Sequence, residues 1–532
     1  MKKSLFILLC LLMVSVLVIG CEAPAESDEE EVDEPEEPVD EEKMLVRDDL
    51  VVAQGSDVED LDPHLMASIP AAIITEHIFD TLVTLDEDFN IVPRLAEDWT
   101  ISDDGLEYTF ELRDDVVFTD GTSFNAEVVK YNIERLLDPG TLALLRSYIE
   151  MAESAEVIDE YTVKINLKYP HAPFLSRLTA ASNAMVSPEA VEEYGDNFSR
   201  NPVGSSAFKL AEWVPGTELV LERNPDYWGE EPGFETITFV PVPEDSTRMA
   251  MLEAGDVDII VRVPPLDADR LDAEEHIDVI NAPSTRAIYA GLNVTFEPLS
   301  DPRVRQALNY AVDKEEITET ILYGAGRPLD SPLLPEMFPH RQVGPYEFDP
   351  DKAKELLAEA GYEDGFEMTF HHPEGRYLMD RRIAEAIQGY LADVGVDVEM
   401  ETMEWAAYLE FIRKPIEETE SNMYLLGWGP WILDGDQMLY PMFLSEQAPP
   451  TGSNYGFYEN PEVDEYLIQG TSTTDEEERI EAYGKAQEII WEEAPWVFLH
   501  AEEQIIAKHT NLEDVLILPI EQLRFHNAYW GQ

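Results

Sequence analysis

Twice in the second half of this chain an Asp-Pro pair stands directly ahead of an amphipathic stretch, and strand-like runs separate the helices that result. That alternation restricts the available folds more than any other feature, because a helix with a fixed start must lay its apolar stripe on a sheet or on another helix. Asp301-Pro302 precedes RVRQALNYAV, in which Val304, Ala307, Leu308, Ala311 and Val312 lie on one face. Asp313 with Glu316 has capping-box spacing and predicts a second helix at once. Asp349-Pro350 opens DKAKELLAEAG, stopped by Gly361, and Asp475 with Glu478 opens EEERIEAYGKAQEIIWEEAP, closed by Pro495. Between these helices YAGLNV, GFEMTFHH and VGVDVEMETM read as strands, so the second half is an α/β lobe containing βαβ units. The first half is richer in strands. LVVAQGSD is a buried-strand candidate, and LEYTFELRDDVVF alternates like a strand that runs into a turn at Asp120-Gly121. At 532 residues the chain is too long for one core, and no repeat of solenoid or propeller spacing divides it. Two unlike lobes predict a ligand cleft between them.

The first twenty residues differ from the rest. Lys2 and Lys3 precede an apolar run somewhat short for a membrane span, and the order Val18-Ile19-Gly20-Cys21 resembles a bacterial lipobox. On that reading residues 1–20 are a signal peptide and Cys21 is lipidated; the alternative is a signal anchor that stays in the membrane. Cys10 would leave with the signal, so the mature chain would hold no free thiol, and cysteine catalysis, Cys-based zinc sites and disulfides are excluded together. Residues 21–44 are almost wholly acidic with interspersed Pro and Ala, a composition that predicts an extended, self-repelling tether.

Acidity extends over the whole chain, with 111 Asp and Glu against 35 Lys and Arg and a formal charge of −76. Nucleic acid is thereby excluded as a partner, since its affinity comes from basic patches, and so is charge-driven adhesion to anionic lipid. The imbalance points to a salty habitat, with an exported acidic protein of an ordinary habitat as the other reading.

Longer motifs carry a resemblance. NPVGSSAFKLAEWVPGTELVLERNPDYWG (201–229), RMAMLEAGDVDII (248–260), LSDPRVRQALNYAVDKEEI (299–317) and APWVFLH (494–500) resemble the peptide and nickel class of extracellular solute-binding proteins. LDPHLMAS and RLAEDWTISDDGLEYTFELRDDVVFTDGTSFNAEVVKYNIERL do so as well, and the likeness runs in order from about Val46 to the C-terminus. It implies an α/β, two-lobed periplasmic-binding-protein-like fold of type II, the large class with an extra subdomain. Lobe I would take residues 45–287 with an inserted subdomain at about 86–200, lobe II residues 288–500, and residues 501–532 would return to lobe I. The function implied is that of the substrate-binding lipoprotein of an ATP-binding cassette importer. It would capture a di- or oligopeptide or a glutathione-like peptide outside the membrane and deliver it to a permease driven by separate ATPase subunits. Such a protein is expected to be a lipid-anchored monomer on the outer face of the cytoplasmic membrane, or periplasmic, without cofactor or catalysis. No phosphate-cradling G-x-x-x-x-G-K-[ST] run is present in the chain itself.

Gly427–Phe443, GWGPWILDGDQMLYPMF, is the segment in which the expected site is richest. In peptide-binding members of the class, the third residue after the Gly-Trp tryptophan is often an aspartate that takes the ligand's amino group. Here it is Trp431, which offers stacking, cation–π attraction and one N–H donor instead of a fixed anion. Asp434 is expected to contact ligand or to serve structure, Asp436 to cap a helix starting near Gln437 or to join it, and Trp428 to lie mainly in the core. Arg376 and Arg381, in HHPEGRYLMDRR, could hold a ligand carboxylate bidentately or pair with neighbouring acids. Asn454 and Tyr455, in TGSNYGFY, resemble a family segment bordering the cleft, with a plain turn as the alternative. Arg303 and Arg305 are expected to be structural.

Two other ligand classes stay open, oligosaccharides because aromatic rings stack on sugar faces and nickel because His371 and His372 are adjacent. Successive strand side chains point to opposite faces, and no H-x-x-x-H spacing occurs, so no metal site is expected. A different class, a carboxylate-dependent hydrolase, would rest on Asp434 and Asp436 as a catalytic pair, but no G-x-S-x-G elbow accompanies them.

Overall fold

The computed structural model describes residues 47–531, so the expected signal peptide, Cys21 and the expected acidic tether lie outside the described residues. An eleven-stranded mixed sheet forms the backbone of the molecule. From one edge it runs through Val396–Met403, Phe366–Pro373, Met423–Trp428, Ile277–Leu292, Trp496–His509, Ile259–Ile260, Asp49–Gln54, Thr236–Pro241, Glu218–Arg223 and Phe208–Val214. Gly326–Pro328 pairs on the side with Trp496–His509. A separate four-stranded antiparallel sheet is built from Ala96–Ile101, Glu107–Leu112, Thr162–Leu167 and Ala152–Asp159.

The two central strands are the longest, and they carry the chain between two halves of the molecule. Ile277–Leu292 pairs antiparallel with Trp496–His509 from Ile277↔His509 to Gly291↔Trp496, and residues 293–495 hang from the far ends of both. Each half buries its own apolar cluster, one around Leu50, Val52, Ile237 and Phe239, others around Tyr289, Tyr424 and Phe498 and around Leu308, Ile383 and Val396. Register breaks between Pro283 and Ala287. Pro283 has no N–H to give the ladder, and Ser284 replaces backbone pairing with a hydroxyl that donates to Glu502 O at 2.7 Å and accepts from Arg286 N at 3.2 Å. Thr285 N turns away to Pro519 O at 2.9 Å. Among the described residues these two strands are the covalent crossings between the halves, and an interrupted ladder there is where bending costs least.

Most of the expected helix starts are present. Asp301 accepts from Arg303 N at 2.9 Å, Asp349 from Lys352 N at 2.8 Å and Asp475 from Glu478 N at 3.0 Å. Gly361 adopts φ +90° just beyond Pro350–Glu359. The helix expected after Asp313 is cut short. Asp313 does accept from Glu316 N, but only Lys314–Glu316 is α-helical before a π-helical turn at Ile317–Ile321. Four of those five residues, Ile317, Thr318, Thr320 and Ile321, are β-branched, and both threonine hydroxyls donate back to the carbonyls of Glu315 and Glu316, which loosens the α ladder.

Buried histidines give the fold a defined acid response. Burial depresses His64, His77 and His171 to about 4 and His500 to about 3 from the usual 6.5. The unfolded chain therefore binds protons between pH 6.5 and 4 that the folded chain refuses. Stability is complete above pH 6.5 and falls as pH drops toward 4, by several kcal/mol in total on the order of about 1.4 per pH unit for each group. Melting in 1 M salt, where the Debye length is about 3 Å and surface repulsion is screened, should lose temperature steadily from pH 7 to 5; an unchanged melting temperature would contradict burial of neutral rings.

Candidate functional site

Met423–Trp428 pairs with the first crossing strand as far as Ala287↔Trp428, so the Gly427–Asp436 loop leaves the sheet beside the register break. Glycine is required where the backbones come close. A Cβ on Gly427 would stand 2.6 Å from Ile288 Cδ1 and from the Tyr377 ring, and one on Gly429 would stand 3.3 Å from the Arg286 guanidinium carbon. Thr285 Oγ1 donates to Pro430 O at 2.8 Å and Tyr377 OH to Gly427 O at 3.3 Å, tying the loop to the register break and to the Arg376 loop. Arg286 lies between Glu521 at 2.7 Å and Glu502 at 3.4 Å, both carried by the segment that returns from the second half. Trp428 donates its indole N–H to Gln437 O at 2.6 Å and packs partly into the core around Tyr424. Trp431 is half-buried against Tyr148, Ala180 and Ile432.

The two aspartates are occupied. Asp434 is 1 % exposed, and Arg479 reaches both of its oxygens at 3.0 and 2.9 Å. Ser176 Oγ adds a 3.4 Å contact, and Asp434 also accepts from Asp436 N at 3.0 Å. Asp436 is 3 % exposed and paired with Arg177 at 2.5 Å, with Thr471 Oγ1 on its other oxygen at 3.2 Å. Although burial raises its pKa, the Arg177 guanidinium and its neighbours hold Asp436 below the ordinary carboxylate range. Every oxygen of the pair already has a donor from the protein, so both aspartates serve the packing of the loop, while Asp434 also lines a cavity. The capping expectation is corrected. The helix spans Asp436–Phe443 with Gly435 at its N-cap and no side-chain cap there; Asp434, two residues earlier, accepts the Asp436 N–H.

Arg376 stands differently. Asp380, 4 % exposed, accepts from the backbone N–H groups of Gly375, Arg376, Tyr377 and Arg381 at 2.8–3.2 Å, which fixes the turn that carries Arg376. The Arg376 side chain is exposed, with its guanidinium 5.0 Å from the centre of the Trp405 ring and 5.2 Å from that of Tyr377. Among the described residues no carboxylate ion-pairs with it, while 15 other arginines do pair. Arg381, at the start of the following helix, is a surface residue that ion-pairs with Glu374 at 3.2 Å and Glu385 at 3.1 Å. Asn454 is buried and bonds Leu444 O and Tyr458 O, while Tyr455 packs edge-on against Tyr424. Both fasten a turn inside the second half. Arg303 and Arg305 bond Asp301 and helix-end carbonyls, as structural residues do.

His371 and His372 diverge: His371 faces Glu401 at 3.5 Å and the Phe411 ring, His372 faces Thr402 Oγ1 at 2.9 Å. Among the described residues no three His, Cys, Asp or Glu gather as metal ligands. Two cavities share the border residues Leu85 and Thr179, and the smaller one touches the loop. One of about 870 Å³ is lined by Asp80, Arg94, Tyr227 and Trp228, and one of about 370 Å³ by Phe338, Leu433, Asp434 and Arg479. Volumes of this size suit small ligands, yet Trp431 and Arg376 line neither. Trp405, Tyr377, Arg177 and Arg479 escaped the sequence reading. For the two arginines, scarcity of cations was an available signal; for Trp405 there was none.

The family described as bacterial extracellular solute-binding proteins, family 5 Middle, matches residues 90–450. The glutathione-binding protein GsiB of Escherichia coli K12 is 33% identical over 484 residues, 90% of this chain and 94% of that protein. HbpA2 from Haemophilus parasuis superposes with a TM-score of 0.85 at 26% identity, covering 91% of this chain and 100% of that one. DppA from Helicobacter pylori, solved in complex with the peptide STSA, gives 0.72 at 28% identity over 92% and 99% of the two chains.

Proposed function

The chain belongs to the family 5 bacterial extracellular solute-binding proteins, and from that premise we propose that it captures short peptides outside the membrane for an ATP-binding cassette importer. The observation that carries the ligand class is Arg376. In a chain with 111 acids and 35 basic residues, a guanidinium mounted on a fixed turn, stacked on two aromatic rings and without a carboxylate partner among the described residues is available to a carboxylate brought from outside. GsiB's glutathione and the STSA peptide of the Helicobacter protein are ligands that carry such a group. The ligand's amino end meets Trp431 rather than a fixed anion, which favours peptides whose first residue offers apolar or polar surface over those gripped by charge alone.

The rest of the assignment follows from this role. Cys21 is the lipidation site of this assignment, residues 21–44 are its acidic linker, and the clamp consists of residues 45–287 with 501–532 closing on 288–500. The protein acts as a monomer, hands its ligand to a permease and performs no chemistry on it. Titration calorimetry with di- to pentapeptides, glutathione, maltooligosaccharides and Ni²⁺ tests the reading. Peptides should bind, and Trp431→Asp should shift the order of preference among them toward small, free-amine dipeptides by about tenfold, the worth of one charge-assisted hydrogen bond. Unchanged selectivity would remove Trp431 from the cleft, and saccharide binding alone would move the ligand class to sugars stacked on Trp431.

A further inference from the structure

Residues 172–177 belong to the half of the molecule outside the crossing strands, yet their polar groups bond the other half. Arg177 ion-pairs with Asp436, Ser176 Oγ reaches Asp434 at 3.4 Å, and Ala172 N donates to Thr471 O at 2.8 Å. Asp434 is already held on its own side by Arg479, whose Nε also bonds Gly470 O at 2.8 Å, so one surface of this contact is built before the other arrives. Arg177 is likewise prepared from its own side. Ser147 O accepts from its Nη1 at 2.8 Å, and the Tyr148 ring lies 5.6 Å beneath it.

From this geometry we propose that Arg177, with Ser176 beside it, latches the two halves together when the clamp closes and through the closed fraction helps set the ligand's affinity. The inference rests on the two-lobed capture reading and adds a positioning residue to it. Closure at this point is not fully satisfied: both ring nitrogens of His171 and Nε of Arg177 are buried without a partner among the described residues. Water would reach all three on opening. The ion pair of the latch favours closing, whereas the unpartnered ring nitrogens of His171 and Nε–H of Arg177 favour opening, the opposition that a receptor that must also release its ligand requires. His171 stays neutral beside the pair, because burial holds it at about 4 and Arg177 and Arg479 oppose its protonation against the pull of Asp436.

The test is a distance measurement between spin labels on the exposed positions Glu192→Cys and Glu465→Cys, one in each half, with and without glutathione. Arg177→Gln should lower the fraction of molecules at the short distance at least fivefold, Arg177→Lys should recover part of it, and Ser176→Ala, a milder change, should lower it about twofold. Because the apparent dissociation constant scales inversely with the closed fraction, the affinity of the tightest peptide should fall by the same factor. A merely structural Arg177 would lower the melting temperature and leave the distances unchanged, and that result overturns the latch. Distances that shift in a protein that binds no peptide would support the latch and contradict only the proposed ligand.

Discussion

Asp434→Asn should destabilise the protein by about 3–5 kcal/mol, the cost of stranding a buried arginine whose carboxylate partner has been neutralised. Both members of the pair are buried, Asp434 at 1 % and Arg479 at 8 %, and Arg479 reaches both carboxylate oxygens. An amide can accept from the guanidinium through one oxygen only and turns an N–H₂ toward the second donor. The loss should appear as a lower denaturant midpoint for the half containing residues 293–495. Asp434→Leu combined with Arg479→Met should recover most of it, since replacing a buried pair by apolar residues is often close to neutral. A single variant as stable as the parent would show that this pair does not hold the loop.

Arg376→Gln should act on binding and hardly at all on folding. Its side chain is exposed and enters no ion pair among the described residues, so the melting temperature should stay within about a degree or two, as for surface substitutions of roughly 0.5 kcal/mol or less. A bidentate, charge-assisted contact to a ligand carboxylate is worth about 1.5–3 kcal/mol, so the dissociation constant for a peptide should rise roughly 10- to 150-fold. The same peptide with its C-terminus amidated should bind the unchanged protein about as weakly, and the variant should no longer distinguish acid from amide. Equal affinity of both proteins for the acid would place Arg376 outside the site.

What the sequence made legible was local or long-patterned. Asp301, Asp349 and Asp475 announce helix starts because an N-cap bonds N–H groups two or three residues away, a distance fixed by the helix itself. The π-helical turn after Asp313 is also local, yet it was missed because the capping signal is unaltered and only the run of β-branched residues behind it weakens the ladder. At the candidate site the balance reverses. Arg376 stood out because cations are rare, but its platform comes from Trp405, placed there by a helix that starts on another element. The aspartates of the Gly427–Asp436 loop looked free because their partners are distant in the chain, Arg479 by 45 positions and Arg177 by 259. Spacing cannot reveal which of 111 acids a buried arginine has claimed; only tertiary packing does so, within one half for Arg479 and between the halves for Arg177.

The central claim is that the cleft takes a peptide through its carboxylate. Native mass spectrometry of the protein mixed with equimolar di- to pentapeptides, glutathione and maltooligosaccharides puts the competing ligands against one another in a single spectrum. The account predicts a bound population whose added masses are those of peptides and which Arg376→Gln removes. Saccharide masses, no added mass, or peptide masses that survive Arg376→Gln would contradict it.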